Sequence, residues 1–138
     1  MELKINNVHY EVSELNELQV HLIHVRRKQF AEIWMQHAEN SPSICALING
    51  EAAWLMYLRY EGDAGFSTRN LNYAGARKAK IEYYLSNGQR DEYPASWNIT
   101  TNEAMRALEY FFLKEDKAPW LEWHEERPVN HFTKSFGK

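Results

Sequence analysis

A single cysteine, Cys45, rules out an intramolecular disulfide and fits a reducing compartment. It stands in the apolar run "SICALI", the setting of a small buried hydrophobe rather than a nucleophile. Apolar runs are short: none approaches the roughly 20 residues of a membrane span, so no membrane contact is expected. The opening "MELKINNVHYEV" alternates charged and apolar residues, unlike a secretory leader, and the chain is expected to act in the cytoplasm. Excess positive charge is missing too. A net charge of −3 argues against direct nucleic-acid binding, which rests on basic patches against phosphates. No P-loop, no G-x-G-x-x-G, no G-x-S-x-G and no His-x-Glu with Cys-x-x-Cys is present, so no known phosphate cradle or nucleophile elbow is in view.

What is present describes a globular chain. Its 138 residues are 44% apolar and 25% charged, enough for one domain over 1–138 that buries about two thirds of its unfolded surface. Aromatic content is high, with five Trp and eight Tyr, residues that build cores and protein–protein contacts alike. Charge is uneven. Residues 103 to 126 hold seven acids against Arg106, Lys114 and Lys117. Such an acidic run suits a basic partner, although a solvated face is its commoner meaning. The tail 127–138, with Arg127, Lys134 and Lys138, is basic and is expected to be flexible.

Periodicity sets out the elements. Leu3, Ile5, Val8, Tyr10 and Val12 around Asn6-Asn7 predict an N-terminal hairpin. Ser13 is placed to cap a helix carrying Leu15, Leu18, Leu22 and Val25 on one face. Phe30 to Met35 reads as extended. Asn49-Gly50 predicts a turn between "SICALI" and "EAAWLMYLRY", and the latter is apolar at both parities, like a central strand buried on both faces. "EGDAGFSTRN" lacks periodicity and reads as a loop presenting Asp63 beside Glu61. "KIEYYLS" is the next strand. Thr100 and Glu103 form a capping box ahead of a helix with Ala104, Met105, Leu108, Phe111 and Phe112 in one stripe. "WLEWHEE" reads as a last strand headed by Trp120 and Trp123. The expected fold is α+β, with two main helices packed on a mostly antiparallel sheet.

Chemistry is sparse. Glu17, His21 and His24 share a helical face, but the motif is not H-E-x-x-H and a solvated Glu17–His21 pair accounts for it. His124 and Glu125 are adjacent in a strand and point to opposite faces. No catalytic residue, metal or cofactor is assigned, and the chain reads as a non-enzyme. One segment stands out. In "LSNGQRDEYPASW", a two-residue turn at Asn87-Gly88 sets Leu85 opposite Arg90 and Tyr84 opposite Asp91. Neither face is then apolar near the turn. A charged edge strand that blocks aggregation is one reading. A projecting lip of tyrosines and charges that contacts a partner is the other.

In order and spacing, "GEAAWLMYLRYEGDAGFSTRN", "IEYYLSNGQRDEYPASWNITTNEAMRALEYFF" and "PWLEWHEE" resemble immunity protein family 1 of bacterial polymorphic toxin systems. The likeness runs over residues 50 to 126. It is carried by the Trp54 strand, the Gly-rich loop leading to Phe66 and Ser67, and the hairpin ending Tyr93-Pro94. The helix with Ala104, Ala107 and Phe111-Phe112, then Pro119 and the W-x-E at Trp123 and Glu125, complete it. The resemblance implies a protein that binds and neutralises a cognate toxin domain, often a nucleic-acid deaminase, as a 1:1 heterodimer.

An inhibitor of that kind needs a stable scaffold and a complementary surface. The candidate partner-binding residues are Glu61, Asp63, Phe66 and Arg69, then Arg90, Asp91, Glu92 and Tyr93 on the hairpin, and Glu122 and Glu125 near the end. Their acids are placed to mimic phosphates in a basic substrate cleft. Trp54, Trp97, Leu108, Phe111, Phe112 and Trp123 are expected in the core, the tryptophans holding the sheet against the second helix. A non-catalytic adaptor or chaperone without a toxin partner is the competing account.

Overall fold

A computed structural model describes residues 1–127. The expectation for the basic tail falls outside the described residues beyond Arg127. In chain order the elements are β1 (Glu2–Ile5), β2 (Val8–Glu11), α1 (Leu15–Val25), β3 (Phe30–Gln36), β4 (Ser43–Asn49), β5 (Ala52–Leu58) and β6 (Phe66–Arg69). There follow β7 (Lys80–Tyr84), β8 (Arg90–Pro94), a short 3-10 turn (Ala95–Trp97), β9 (Ile99–Thr100), α2 (Thr101–Lys114) and β10 (Glu122–Glu125). The main sheet is antiparallel throughout, in the order β10-β6-β5-β4-β3-β1-β2, with β9 pairing the start of β5. The fold is α+β.

Local chemistry accounts for the ends of the elements. Asn6 and Asn7 turn the first hairpin at φ 48° and 70°, a conformation asparagine tolerates. The cap of α1 is Glu14, not Ser13. The Glu17 carboxylate accepts from the backbone N–H of both Ser13 and Glu14 at 2.8 Å, so the acid three residues in, rather than the serine, decides where the helix starts. At α2 the box forms between Thr100 and Glu103: the Glu103 N–H donates to Thr100 Oγ1 at 3.0 Å and the Thr100 N–H to Glu103 Oε1 at 2.9 Å. The β4–β5 turn is centred on Gly50-Glu51 rather than Asn49-Gly50, because Asn49 pairs with Ala52 and Gly50 takes φ 58°.

The sheet is covered on both faces. Ala31, Ile33, Met35, Ile44, Ala46, Ile48, Ala53, Leu55 and Tyr57 point to the helices and meet Leu18, Leu22, Leu108 and Phe111 in the larger core. The opposite parity of the same strands, Trp34, Cys45, Leu47, Trp54 and Met56, belongs to a second core with Ile81, Tyr83, Leu85, Tyr93 and Trp97. The strand apolar at both parities, β5, is therefore central and sandwiched.

The second layer corrects the hairpin. Tyr84 pairs with Arg90 and Tyr83 with Asp91, one residue away from the register of a two-residue turn. The loop has three residues, Ser86-Asn87-Gly88, closed by the Leu85 N–H to the Gln89 carbonyl at 2.8 Å, with Gly88 at φ 92°. A one-residue slip exchanges the faces of one strand relative to the other. Ile81, Tyr83, Leu85, Asp91 and Tyr93 therefore share the inner face, and the hairpin does have a core side. It is a lid on the sheet, and neither an edge strand nor a lip lacking a core. The Glu32 carboxylate on β3 fastens its tip, accepting from the Ser86 N–H at 2.9 Å and the Ser86 hydroxyl at 2.7 Å.

Two further corrections lie near the C-terminal half. The segment 61–70 is only partly a loop, since Phe66–Arg69 form β6. Its middle residues Ser67 and Thr68 are fully buried, and Thr68 Oγ1 accepts the Leu55 N–H at 3.2 Å. Trp120 stands in the turn before β10, not in the strand.

Candidate functional site

The loop between β5 and β6 is built around an ion pair. Arg59 Nε donates to Asp63 Oδ2 at 2.8 Å and Arg59 Nη2 to Asp63 Oδ1 at 2.9 Å, while the Arg59 backbone N–H also reaches Oδ2 at 2.9 Å. The Asp63 side chain is 2% exposed. Hydrogen bonds from the guanidinium hold its carboxyl well below the usual carboxylate range, and the arginine is raised in turn. The loop therefore does not present Asp63 to a partner; it consumes that charge. Glu61, two residues earlier, is exposed.

The β6–β10 margin brings four of the candidate residues together. Phe66 pairs with Glu125 and Arg69 with Glu122 in the antiparallel register. Phe66 is half-buried, with Arg59 5.0 Å and Lys117 4.3 Å from its ring centre. Arg69 lies 3.8 Å above the Trp97 ring, donates to Ser67 Oγ at 2.8 Å and pairs with Glu126 at 3.2 Å. Its guanidinium is built into the structure. Glu122 and Glu125 are exposed, the latter 3.6 Å from Arg59.

The hairpin residues divide by face. Arg90 and Glu92 point outward, and Arg90 pairs with Glu82 at 2.7 Å. Asp91 and Tyr93 point inward. Asp91 accepts from Gln89 Nε2 at 2.8 Å and from the Tyr93 hydroxyl at 3.3 Å. Burial pushes the Tyr93 phenol up, with the Asp91 charge acting in the same direction. Tyr93 stacks between Trp54 and Trp97, at 4.4 Å and 5.8 Å. Trp54 and Trp97 thus sit under the hairpin, on the sheet face away from α2, which corrects their expected place against the second helix. Trp123 faces the helix side and donates its indole N–H to the Ala118 carbonyl at 2.9 Å. Leu108 and Phe111 are fully buried and Phe112 partly so.

His124 lies in β10, opposite Ser67 in the margin, whereas Glu17, His21 and His24 belong to α1. The His21 ring packs against Tyr10 at a tilt of 44°, with centroids 4.2 Å apart, and Glu17 is engaged at the start of α1. Among the described residues no three His, Cys, Asp or Glu side chains converge as a metal site, and no helix is long and apolar enough to cross a membrane.

The arrangement is a stable two-sided sheet with an acidic margin. A family model for the immunity protein Imm1 matches residues 9–123. The chain belongs to the Imm1 family. Membership gives it an immunity function and implies that it binds a cognate toxin protein. A search of curated proteins returns no match. The match begins at residue 9 and so takes in α1 and β3, beyond the stretch over which the resemblance was legible.

In this Imm1 protein, sequence reasoning missed Arg59, Lys117 and Glu126 as parts of the margin. Arg59 and Asp63 stand at i and i+4, a spacing that signals a pair on a helix and is uninformative in a loop. It also placed Trp120 in a strand, whereas that side chain is half exposed beside α2.

Proposed function

We propose that this Imm1 protein neutralises one cognate toxin domain by 1:1 binding that covers the cleft where the toxin takes a nucleic acid. The toxin is of the deaminase class, and the encounter takes place in the cytoplasm of the producing cell. The chain transforms nothing itself. The observation that carries this reading is the set of exposed carboxylates at Glu61, Glu122 and Glu125, on one edge strand and the loop leading to its neighbour. Carboxylates so placed offer a basic cleft the charge it otherwise receives from phosphates, steering association and fixing register.

The test uses the cognate toxin domain, sought among the genes that flank the one for this chain. Its expression alone is lethal and co-expression restores growth. Deamination of single-stranded DNA and RNA by the purified toxin stops at one equivalent of the Imm1 protein. Residual turnover in a saturated complex removes occlusion, and a toxin acting on protein removes the nucleic-acid cleft. A chain that holds some other protein and leaves the toxin active is the adaptor instead.

A further inference from the structure

The buried stripe of α2 is Ala104, Met105, Ala107, Leu108 and Phe111, with Tyr110 partly buried against the same core. Leu113 projects outward at 60% exposure, and Trp120 stands next to it at 50%. The Trp120 indole meets Tyr110 edge-on, with centroids 5.3 Å apart and planes at 87°. On one side of Trp120 lies a depression walled by Arg106, Glu109, Tyr110 and Leu113. On its other side is a second, reached by Leu71, which is 75% exposed. Trp120 is common to both. The first depression is mainly apolar and the second mainly polar, so the apolar surface is that of Tyr110, Leu113 and Trp120 with a polar flank. Exposed apolar surface rimmed by polar groups marks contact with another molecule.

The rim identifies the kind of molecule. Glu109 and Arg106 border the first depression, and Glu103, Glu122 and Arg69 the second, where the Arg69 charge is already matched by Glu126 at 3.2 Å. Among the described residues none of these three acids makes an ion pair. The rim is therefore net negative. A second copy of the chain, placed face to face, would set this rim against itself, and phosphates of nucleic acid or anionic lipid would be repelled. A cationic protein surface with an apolar recess is what fits.

We infer that the outer face of α2 with the Trp120 turn is the surface that grips the toxin. Trp120 is the anchor, and the toxin supplies an apolar recess flanked by lysine or arginine. The inference rests on the reading of the chain as a toxin-binding protein and adds where the grip lies. A large aromatic side chain in a desolvated recess, ringed by polar groups, is the usual composition of an interface centre. None of Trp120, Leu113 and Tyr110 is among the margin residues described above.

Binding of the full-length chain to the cognate toxin domain, followed by surface plasmon resonance, tests it. Trp120→Ala lowers affinity at least about thirtyfold, chiefly through faster dissociation, with the melting temperature unchanged. Leu113→Lys, at a mostly exposed position, places a cation inside the acidic rim and gives a similar loss. If both variants bind like the parent, the inference falls and the toxin-binding reading stands. If the parent chain itself does not bind the toxin, that reading falls and takes the inference with it. Affinity loss that merely follows a lowered melting temperature in both variants makes Trp120 a packing residue and overturns the inference. So does a dimer of the free chain, seen by light scattering, that Trp120→Ala dissolves.

Discussion

The indole of Trp54 lies flat on the ring of Tyr93, with centroids 4.4 Å apart and planes 11° from parallel. Trp54 belongs to the central strand and Tyr93 to the hairpin, so their stack is the seam between sheet and lid. Trp54→Ala opens a cavity there and costs about 3–5 kcal/mol in urea unfolding. A double-mutant cycle with Tyr93→Ala returns a coupling of about 0.5–1.5 kcal/mol for the ring pair. Coupling near zero would mean that the lid is held by its other contacts, such as the bonds from Ser86 to Glu32 at its tip, and not by this ring pair.

Tyr83 is the second fastening. It is fully buried, and its hydroxyl donates to Asn98 Oδ1, while Asn98 Nδ2 donates to the Ala95 carbonyl at 3.1 Å. Burial raises the phenol well above its ordinary value, so it stays a donor through the whole working range of pH. Tyr83→Phe leaves the Asn98 oxygen without its donor and costs about 1–3 kcal/mol, measured by thermal or urea unfolding. Tyr83→Phe with Asn98→Leu recovers only part of the loss: the unmet Asn98 oxygen is gone, but the Ala95 and Pro94 carbonyls lose the Asn98 Nδ2 donor.

These two contacts also explain what the sequence could and could not reveal. The central position of β5 was legible, because Ala53, Leu55 and Tyr57 against Trp54, Met56 and Leu58 leave no polar face. Both helices were legible from their apolar spacing. The lid was not. Asn87-Gly88 fits a two-residue turn and equally a three-residue loop ending in Gly88, and nothing local separates them. The choice is made by long-range burial: only the longer loop puts Ile81, Tyr83, Leu85 and Tyr93 on one side. Asp63 was misjudged for a related reason. Its partner Arg59 is four residues away in a loop, where spacing alone does not fix direction.

The Arg59–Asp63 pair gives stability a defined pH dependence. A carboxyl whose native pKa lies below its unfolded value of about 3.9 stabilises the fold fully above about pH 5. That contribution drains away as pH falls through 3.9 toward the depressed native value. Asp63→Asn is therefore less stable than the parent at pH 7, and the gap narrows at pH 3. Paired urea titrations at the two pH values measure it. A gap that stays constant would place the loss in the hydrogen-bond geometry and not in the charge.

The same loop depends on Gly65. It takes φ +78°, and a Cβ built there falls 2.5 Å from the Tyr57 carbonyl oxygen, which is backbone and cannot step aside. Gly65→Ala costs more than about 1 kcal/mol and loosens the junction into β6. Gly62, at φ +86°, has open space around its would-be Cβ. Gly62→Ala thus carries the conformational strain without the collision, and the difference in unfolding free energy between the two variants isolates the close approach.

The acidic margin yields the last prediction. Reversing Asp63 and Asp91 together would be a poor probe of an interface, since one is locked to Arg59 and the other faces the inside of the lid. Glu61 and Glu125 are exposed, and their reversal leaves the core alone, the one contact given up being the surface pair of Glu125 with Arg59 at 3.6 Å. If they steer a basic toxin cleft, Glu61→Lys with Glu125→Lys lowers the association rate about tenfold or more at low salt and scarcely changes dissociation. Raising ionic strength slows the parent toward the variant, because salt screens exposed charges over about 10 Å at 0.1 M. Stopped-flow association at two salt concentrations separates this from the Trp120 face, whose loss appears in the dissociation rate and is insensitive to salt. An association rate unchanged by the double reversal would take Glu61 and Glu125 out of the encounter and leave the apolar face of α2 to account for recognition.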